Sequence, residues 1–327
     1  MRVGVTGASG FVGGAVARAL AARGHEVTGL GRRPGGWGHP LAGYEQWDIA
    51  AGPRVDSFDA VVHSAALADD WAPRGDAMRT NEVGTRNVVA SFPGARIVHL
   101  STSSVYDAFT PSVRVSESAA PVEHFLSTYS ESKTAAEAEL AGADAVILRP
   151  HAVYGPGDTT LLPRILQGIR GGRLVLPEGA EVSHTLTHID NLVDAVELGL
   201  TGPAGVYNVG DDTDVLLSAV LREFLARRGR SDVALVSIPY RAAFTAAAAV
   251  ERLHLVTRAG RPRITRYAVS QLGLERTLDL TAAREKLGYR PRPTSLTGAE
   301  RWGRRQWTHE PRPRRPGRSR TSGRRLR

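Results

Sequence analysis

Tyr129 and Lys133 stand four residues apart in the run Tyr-Ser-Glu-Ser-Lys. On a helix, residues at that spacing share one face. A tyrosine ionises near pH 10, and a neighbouring ammonium favours the phenolate. Such a pair could give or take the proton of a carbonyl/alcohol couple. The spacing alone is weak evidence, because it arises often by chance. Composition sharpens it. Of 42 lysines and arginines, only Lys133 and Lys286 are lysines. A chain that uses arginine almost everywhere keeps lysine here, and a compact ammonium does not stand in for a guanidinium. The plain alternative is an exposed Tyr/Lys helix pair with no chemistry.

A glycine loop would give that pair something to act with. Thr6-Gly7-Ala8-Ser9-Gly10-Phe11-Val12-Gly13 follows the strand-like Val3-Gly4-Val5. It opens a stretch of helical spacing from Phe11 to Ala22. Glycines allow the tight turn and let the backbone approach a pyrophosphate, which the free N–H groups of the helix start would hold. Gly7, Ser9, Gly10, Phe11, Val12 and Gly13 are thus assigned to a dinucleotide. The next strand ends in Leu30-Gly31-Arg32-Arg33, with no acid for the ribose hydroxyls. Arg32 and Arg33 can instead pair with a 2′-phosphate. NADP(H) is the preferred cofactor and NAD(H) the possible one. The alternative is two ordinary surface arginines.

The elements that must position these residues alternate. Strands are expected at Glu26 to Leu30, Ala60 to His63, Arg96 to Leu100 and Ala145 to Leu148. Helices are expected at Asn81 to Ala90 and Ser130 to Ala141. This alternation implies βαβ units and an α/β fold, a doubly wound parallel sheet of Rossmann type. After Arg149-Pro150 the pattern loosens into a smaller, mixed α/β C-terminal substrate lobe. Residues 1–150 are read as the dinucleotide-binding core, with 186–212 returning to it. Residues 151–185 and 213–307 are read as the substrate lobe.

Composition removes several classes of function. The chain of 327 residues has no cysteine, so thiolate metal sites, iron–sulfur clusters, disulfides and cysteine nucleophiles are excluded. No metal site is assigned. No apolar run is long enough to span a bilayer, and no secretory leader is evident. A cytoplasmic enzyme with a small-molecule substrate and no membrane partner is expected. The formal charge of +9 is concentrated near the C-terminus. Residues 308–327 read as a disordered, Arg-rich tail. Nucleic acid is an unlikely partner except through that tail, which lacks aromatic residues for base stacking.

At this point the motifs resemble a known family. The sequence is similar to the extended short-chain dehydrogenase/reductases, also called NAD-dependent epimerase/dehydratases. The resemblance runs over about residues 1–307. It rests on the glycine loop, Trp47-Asp48-Ile49, Val62-His63-Ser64-Ala65-Ala66, Asn81-Glu82-Val83-Gly84-Thr85, Ser101 to Tyr106, Tyr129 to Lys133, Tyr154-Gly155-Pro156-Gly157 and His188-Ile189-Asp190-Asn191. The resemblance implies roles by position. Asp48 and Ile49 would contact adenine. Ser64, Ala65 and Ala66 would line the cofactor, with Asn81 near it and Ser101 in the same wall. Lys133 would hold the nicotinamide ribose. Pro150, His151 and Val153 would flank the nicotinamide. Thr102 would hydrogen-bond the substrate oxygen while Tyr129 handles the proton, so Thr102, Tyr129 and Lys133 form the catalytic set. A homodimer is a further implication.

Departures from the family narrow the branch. Sugar-nucleotide 4,6-dehydratases resemble Ser-Thr-Asp-Glu-Val-Tyr where this chain has Ser101-Thr102-Ser103-Ser104-Val105-Tyr106. The acids needed for elimination are missing. Ala152 replaces an asparagine, and His184 replaces an arginine, both of which contact the nucleotide diphosphate in many epimerases. The stretch Leu148 to Arg164 instead looks like the 3β-hydroxysteroid dehydrogenase and ketoacyl-chain reductase branch. The expected activity is hydride transfer between nicotinamide and a secondary alcohol or ketone of a largely apolar substrate. Alternatives are a nucleotide-sugar 4-epimerase or 4-ketoreductase and, in another class, a non-catalytic cofactor-sensing or nucleic-acid-binding protein. His151 is a possible extra acid or base, but a packing role is favoured.

Overall fold

The computed structural model describes residues 1–257 and 260–302. The Arg-rich segment at 308–327 lies outside the described residues. Seven strands form one parallel sheet. Read across it, they are Gly205–Val209, Ala145–Pro150, Arg96–Leu100, Ala60–His63, Arg2–Thr6, Glu26–Gly31 and Ala42–Gln46. Ala60–His63 and Ala145–Pro150 are buried at every position. Continuous burial is what a parallel sheet covered on both faces requires. The strand order reverses direction on either side of Arg2–Thr6. A crevice therefore opens there, at the carboxyl ends of the strands.

Helices cover both faces. Phe11–Ala22 buries Val16, Ala17 and Leu20 in the main core, where Leu192 and Val196 of Ile189–Gly199 also pack. Thr128–Ala138 carries the Tyr/Lys pair. The Ser127 hydroxyl accepts the Ser130 N–H at 3.1 Å and fixes where this helix starts. The helix expected from Asn81 begins earlier, at Arg74–Met78. It continues through a wide π-type turn, Arg79–Val83, into Gly84–Ser91.

The sequence gives little warning of Ala42–Gln46. It is an edge strand, largely solvent-facing, with no β-branched residue to mark it. The second layer of structure is assembled from distant segments. A small sheet joins Val215–Leu216, Ser183–His184, Arg276–Leu278 and Ser112–Val115. It therefore draws one strand from inside residues 1–150. Arg276 is its anchor: the buried guanidinium donates to the carbonyls of Asp107, Thr110 and Ala108 at 2.8–3.0 Å. Helices Tyr240–Thr257 and Arg266–Gly273 pack together beside it. Among the described residues, no helix is long and apolar enough to cross a membrane.

Candidate active site

A cleft of about 890 Å³ runs along the carboxyl ends of the strands. Its dinucleotide end is shaped by close backbone approach. Gly7 has φ +71°, and a Cβ there would meet the Ala65 nitrogen at 2.8 Å. A Cβ on Gly13 would sit 2.4 Å from the Gly7 carbonyl oxygen. Both positions demand glycine. No side chain caps the helix that starts at Phe11, so its first N–H groups face the cleft free for an anion. Below them, the Thr6 hydroxyl accepts the N–H groups of Ser64 and Ala65, each at 3.1 Å. It also pairs with buried His63 Nδ1 at 2.8 Å. That bond network sets the floor formed by Ser64, Ala65 and Ala66.

Arg32 and Arg33 line the rim of the same end and are exposed. Their carbonyls are held by Gln46 Nε2 at 3.0 Å and the Tyr44 hydroxyl at 2.6 Å. Neither guanidinium forms an ion pair with a described acid. Asp48 spends one carboxylate oxygen on the Ala50 N–H at 3.0 Å. Ile49 is buried against Gly84. Ser9, Gly10, Phe11, Val12, Ser101, Pro150, His151 and Val153 also line the cleft.

Two expected cofactor contacts lie behind its wall. Asn81 is buried, with Oδ1 accepting the Leu67 N–H at 2.7 Å. Its Nδ2 donates to Leu67 O at 3.2 Å and Ser132 Oγ at 2.8 Å. With its amide so used, Asn81 clamps the loop that lines the cleft. Lys133 is also buried. Its Nζ donates to Leu100 O at 2.8 Å and bonds His99 Nε2 at 2.9 Å. These acceptors draw the ammonium toward the sheet. Burial pushes Lys133 down to about 8, with Glu137 one turn on opposing the shift. Glu137 itself takes both Arg149 Nε (2.9 Å) and an Arg149 terminal nitrogen (2.6 Å), and the Ser101 hydroxyl.

Tyr129 and Thr102 both face the cleft. The expected lowering of the phenol by Lys133 is not what the structure shows. Desolvation raises the Tyr129 pKa, and neighbouring Thr102 partly offsets that rise. Lys133 Nζ is instead held by Leu100 O and His99 on the sheet side.

The substrate end is made of side chains. Thr102 accepts the Ser104 N–H at 3.1 Å and donates to Ser104 Oγ at 3.0 Å. Ser104 Oγ pairs with the Tyr267 hydroxyl at 2.6 Å. Tyr267 comes from helix Arg266–Gly273, and nothing in the local sequence marks it. Only the Thr265 cap, which accepts the Ala268 N–H at 3.1 Å, hints at the helix that aims it. Between Thr102 and Ser104, Ser103 Oγ pairs with His151 Nδ1 at 2.8 Å. His151 Nε2 pairs with His184 Nδ1 at 3.1 Å. Burial holds His151 far below its ordinary value and His184 down to about 3, with nearby Arg276 adding to the shift. His151 therefore stays neutral and packed, and His184 cannot act as a cationic diphosphate clamp. Leu161, Ile165, Leu186, Leu217 and Leu272 complete an apolar wall. At the lip, buried Asp70 binds Arg261, Arg164 at 3.4 Å and Thr265 Oγ1 at 2.8 Å.

Residues 3–210 match the model of the NAD dependent epimerase/dehydratase family. The chain is 32% identical to a 4-hydroxy-2-methyl-3-oxo-4-farnesyl-3,4-dihydroquinoline-1-oxide ketoreductase of Stigmatella aurantiaca, over 92% of this chain and 95% of the relative. It is 30% identical to a 2-alkyl-3-oxoalkanoate reductase of Stenotrophomonas maltophilia, covering 92% and 98%. Among solved structures, a UDP-glucuronic acid 4-epimerase from Bacillus cereus in complex with NAD aligns with a TM-score of 0.67. That pair is 20% identical and covers 92% of this chain and 95% of the other. At that identity the likeness concerns the fold.

Proposed function

The chain belongs to the NAD-dependent epimerase/dehydratase family of oxidoreductases, and from that premise we propose that it reduces the ketone of a largely apolar substrate with NADPH. The observation that carries this reading is the union of two ends in one cleft. Gly7 and Gly13 leave a cradle that any Cβ would fill, beside an uncapped helix start suited to a pyrophosphate. Tyr129 and Thr102 lie further along, next to a wall of leucines and Ile165. Nicotinamide supplies the hydride when bound.

The protein's own part is proton supply, positioning and exclusion of water. Tyr129 is held in its protonated form above the ordinary tyrosine value, which suits it to donate to a ketone oxygen. Reduction should then be flat through neutral pH, while alcohol oxidation, which needs the phenolate, should climb with pH. Thr102, on the same wall of the cleft, is proposed to orient the phenol. Lys133 is proposed to set the pocket beneath the nicotinamide ribose, from its bonds to Leu100 and His99. Arg32 and Arg33, unpaired at the rim, are proposed to select the 2′-phosphate of NADPH over NADH.

The relatives' names support the substrate class. One names a 3-oxo dihydroquinoline oxide bearing a farnesyl group, and the other a 2-alkyl-3-oxoalkanoate. Neutral His184 and Ala152 supply no charge for a nucleotide diphosphate. The test is titration of NADPH against NADH with a panel of long-chain ketones, steroids and sugar nucleotides. Saturable NADPH oxidation with an apolar ketone, lost in Lys133→Ala, is expected. Turnover confined to UDP- or dTDP-sugars would replace this reading with epimerase or ketoreductase chemistry on sugars.

A further inference from the structure

Four hydroxyl groups are strung along the substrate end of the cleft: Tyr129, Thr102, Ser104 and Tyr267. All four residues line it. Thr102 neighbours the Tyr129 phenol on the cleft wall. The next two links measure 3.0 and 2.6 Å. Each hydroxyl carries one proton and can donate once. Thr102 donates to Ser104, so Ser104 and Tyr267 keep two protons between them for their one mutual bond. One proton is then left over on this pair, and both residues line the cleft. A proton so placed has no use in reduction of the ketone by Tyr129.

Tyr267 is also firmly built in. Its helix is capped by Thr265, which is tied in turn to Asp70 at 2.8 Å. The next residue, Arg266, is gripped by buried Glu251 through its main-chain N–H and its Nε, each at 2.6 Å. Ser104 stands where an elimination enzyme of this family would carry an acid. Here that position serves to orient a second phenol.

We propose that Tyr267 and Ser104 form a subsite for a second substrate oxygen, so that the natural substrate is a ketone with another oxygen on the adjacent carbon or the one after it. This rests on the reductase reading above. Two oxygens so related lie about 3–5 Å apart, close enough for one to meet Tyr129 and the other the Ser104–Tyr267 pair within the same cleft. One oxygen sits at Tyr129 and takes its proton during reduction. The other accepts from the Ser104–Tyr267 pair and is chemically unchanged. Alkyl groups on the same skeleton lie against Leu161, Ile165 and Leu272.

The experiment compares a straight-chain β-keto ester with the plain ketone of the same length, in wild type, Tyr267→Phe and Ser104→Ala. Wild type should favour the β-keto ester by at least about tenfold in kcat/KM, the worth of one good hydrogen bond. Tyr267→Phe should shrink that ratio to about twofold or less, and Ser104→Ala should shrink it by a smaller factor. A wild-type ratio near one, or a ratio untouched in Tyr267→Phe, overturns the subsite. A parallel binding arm measures the β-hydroxy ester and the plain alcohol by calorimetry in the presence of NADP⁺. The same preference, lost in Tyr267→Phe, supports the subsite even without turnover. Its absence from wild-type binding overturns it. If wild type reduces neither ketone, the reductase reading fails, and the binding arm still decides on Tyr267.

Discussion

At the dinucleotide end of the cleft, the wall comes largely from strand ends and the turns that follow them. Its contacts are made by main-chain N–H groups, glycine hydrogens and a threonine that holds two of those N–H groups. At the other end, Ser103, Ser104, His151, His184 and Tyr267 arrive from four well-separated stretches and meet through hydroxyl and imidazole groups. One end offers a ligand mainly backbone, with Arg32 and Arg33 at its rim, and the other offers mainly side chains. A backbone site tolerates changes of side chain but not of shape. A side-chain site tolerates changes of specificity while the fold stays put. That division explains how one family can keep a cofactor and exchange substrates.

Acid should cut across both ends and give the largest effect. His63 and His99 are buried under the dinucleotide end, and His151 and His184 beside the substrate end. All four have native values pushed well below 6.5 by burial. The unfolded chain takes up these protons as pH falls below about 6.5, and the native state does not, so stability is lost on acidification. Each histidine contributes about 1.4 kcal/mol between about pH 7.5 and about pH 5.5, or about 5.5 kcal/mol together. Urea unfolding at the two pH values measures this. Replacing His151 and His184 by glutamine should remove about half of the pH dependence; an unchanged slope would show that the substrate-end pair carries none of it.

Tyr129→Phe should lower kcat by about 10³-fold while leaving NADPH affinity within about twofold. Loss of cofactor binding in that variant would mean that the two ends are not separable. Gly13→Ala attacks the other end. The helix start must shift, costing about 1–3 kcal/mol in stability and weakening NADPH binding more than it alters the choice among ketones. Replacing Arg32 and Arg33 by serine should cut the NADPH-to-NADH preference by about tenfold. A preference that survives both changes would assign these arginines to ordinary surface. Ala152 has φ +46°, a conformation disfavoured by about 1–2 kcal/mol for a residue with a Cβ. Ala152→Gly should therefore raise stability by about 1 kcal/mol, read as a small rise in Tm.

The same division governs what can be read from sequence. Gly7 to Gly13 are contiguous, follow a strand and open a helix, so their spacing carries their role. The strands at Ala60 and Ala145 declare themselves by continuous apolar runs. Tyr129 and Thr102 are legible because each belongs to a short motif. Asn81 and Lys133 belong to motifs too, yet their atoms are taken up by Leu67, Ser132, His99 and Leu100. A motif gives a residue's address but not its rotamer. Tyr267 has no motif. It reaches Ser104 across 163 residues of chain, through a helix whose position depends on Asp70 and Glu251. The edge strand Ala42–Gln46 is similarly silent, because its pairing partner rather than its own composition holds it extended.

The scarcity of lysine has a practical side once burial is known. The chain's two lysines are Lys133, enclosed behind the cleft wall, and Lys286, exposed at the end of a surface helix outside that wall. Side-chain amine chemistry therefore has a single open address. A fluorophore or a surface tether placed at Lys286 would leave the cleft untouched. Reaction at Lys133 would instead report that the wall has opened, so the ratio of the two modifications becomes a clock for breathing of the active site.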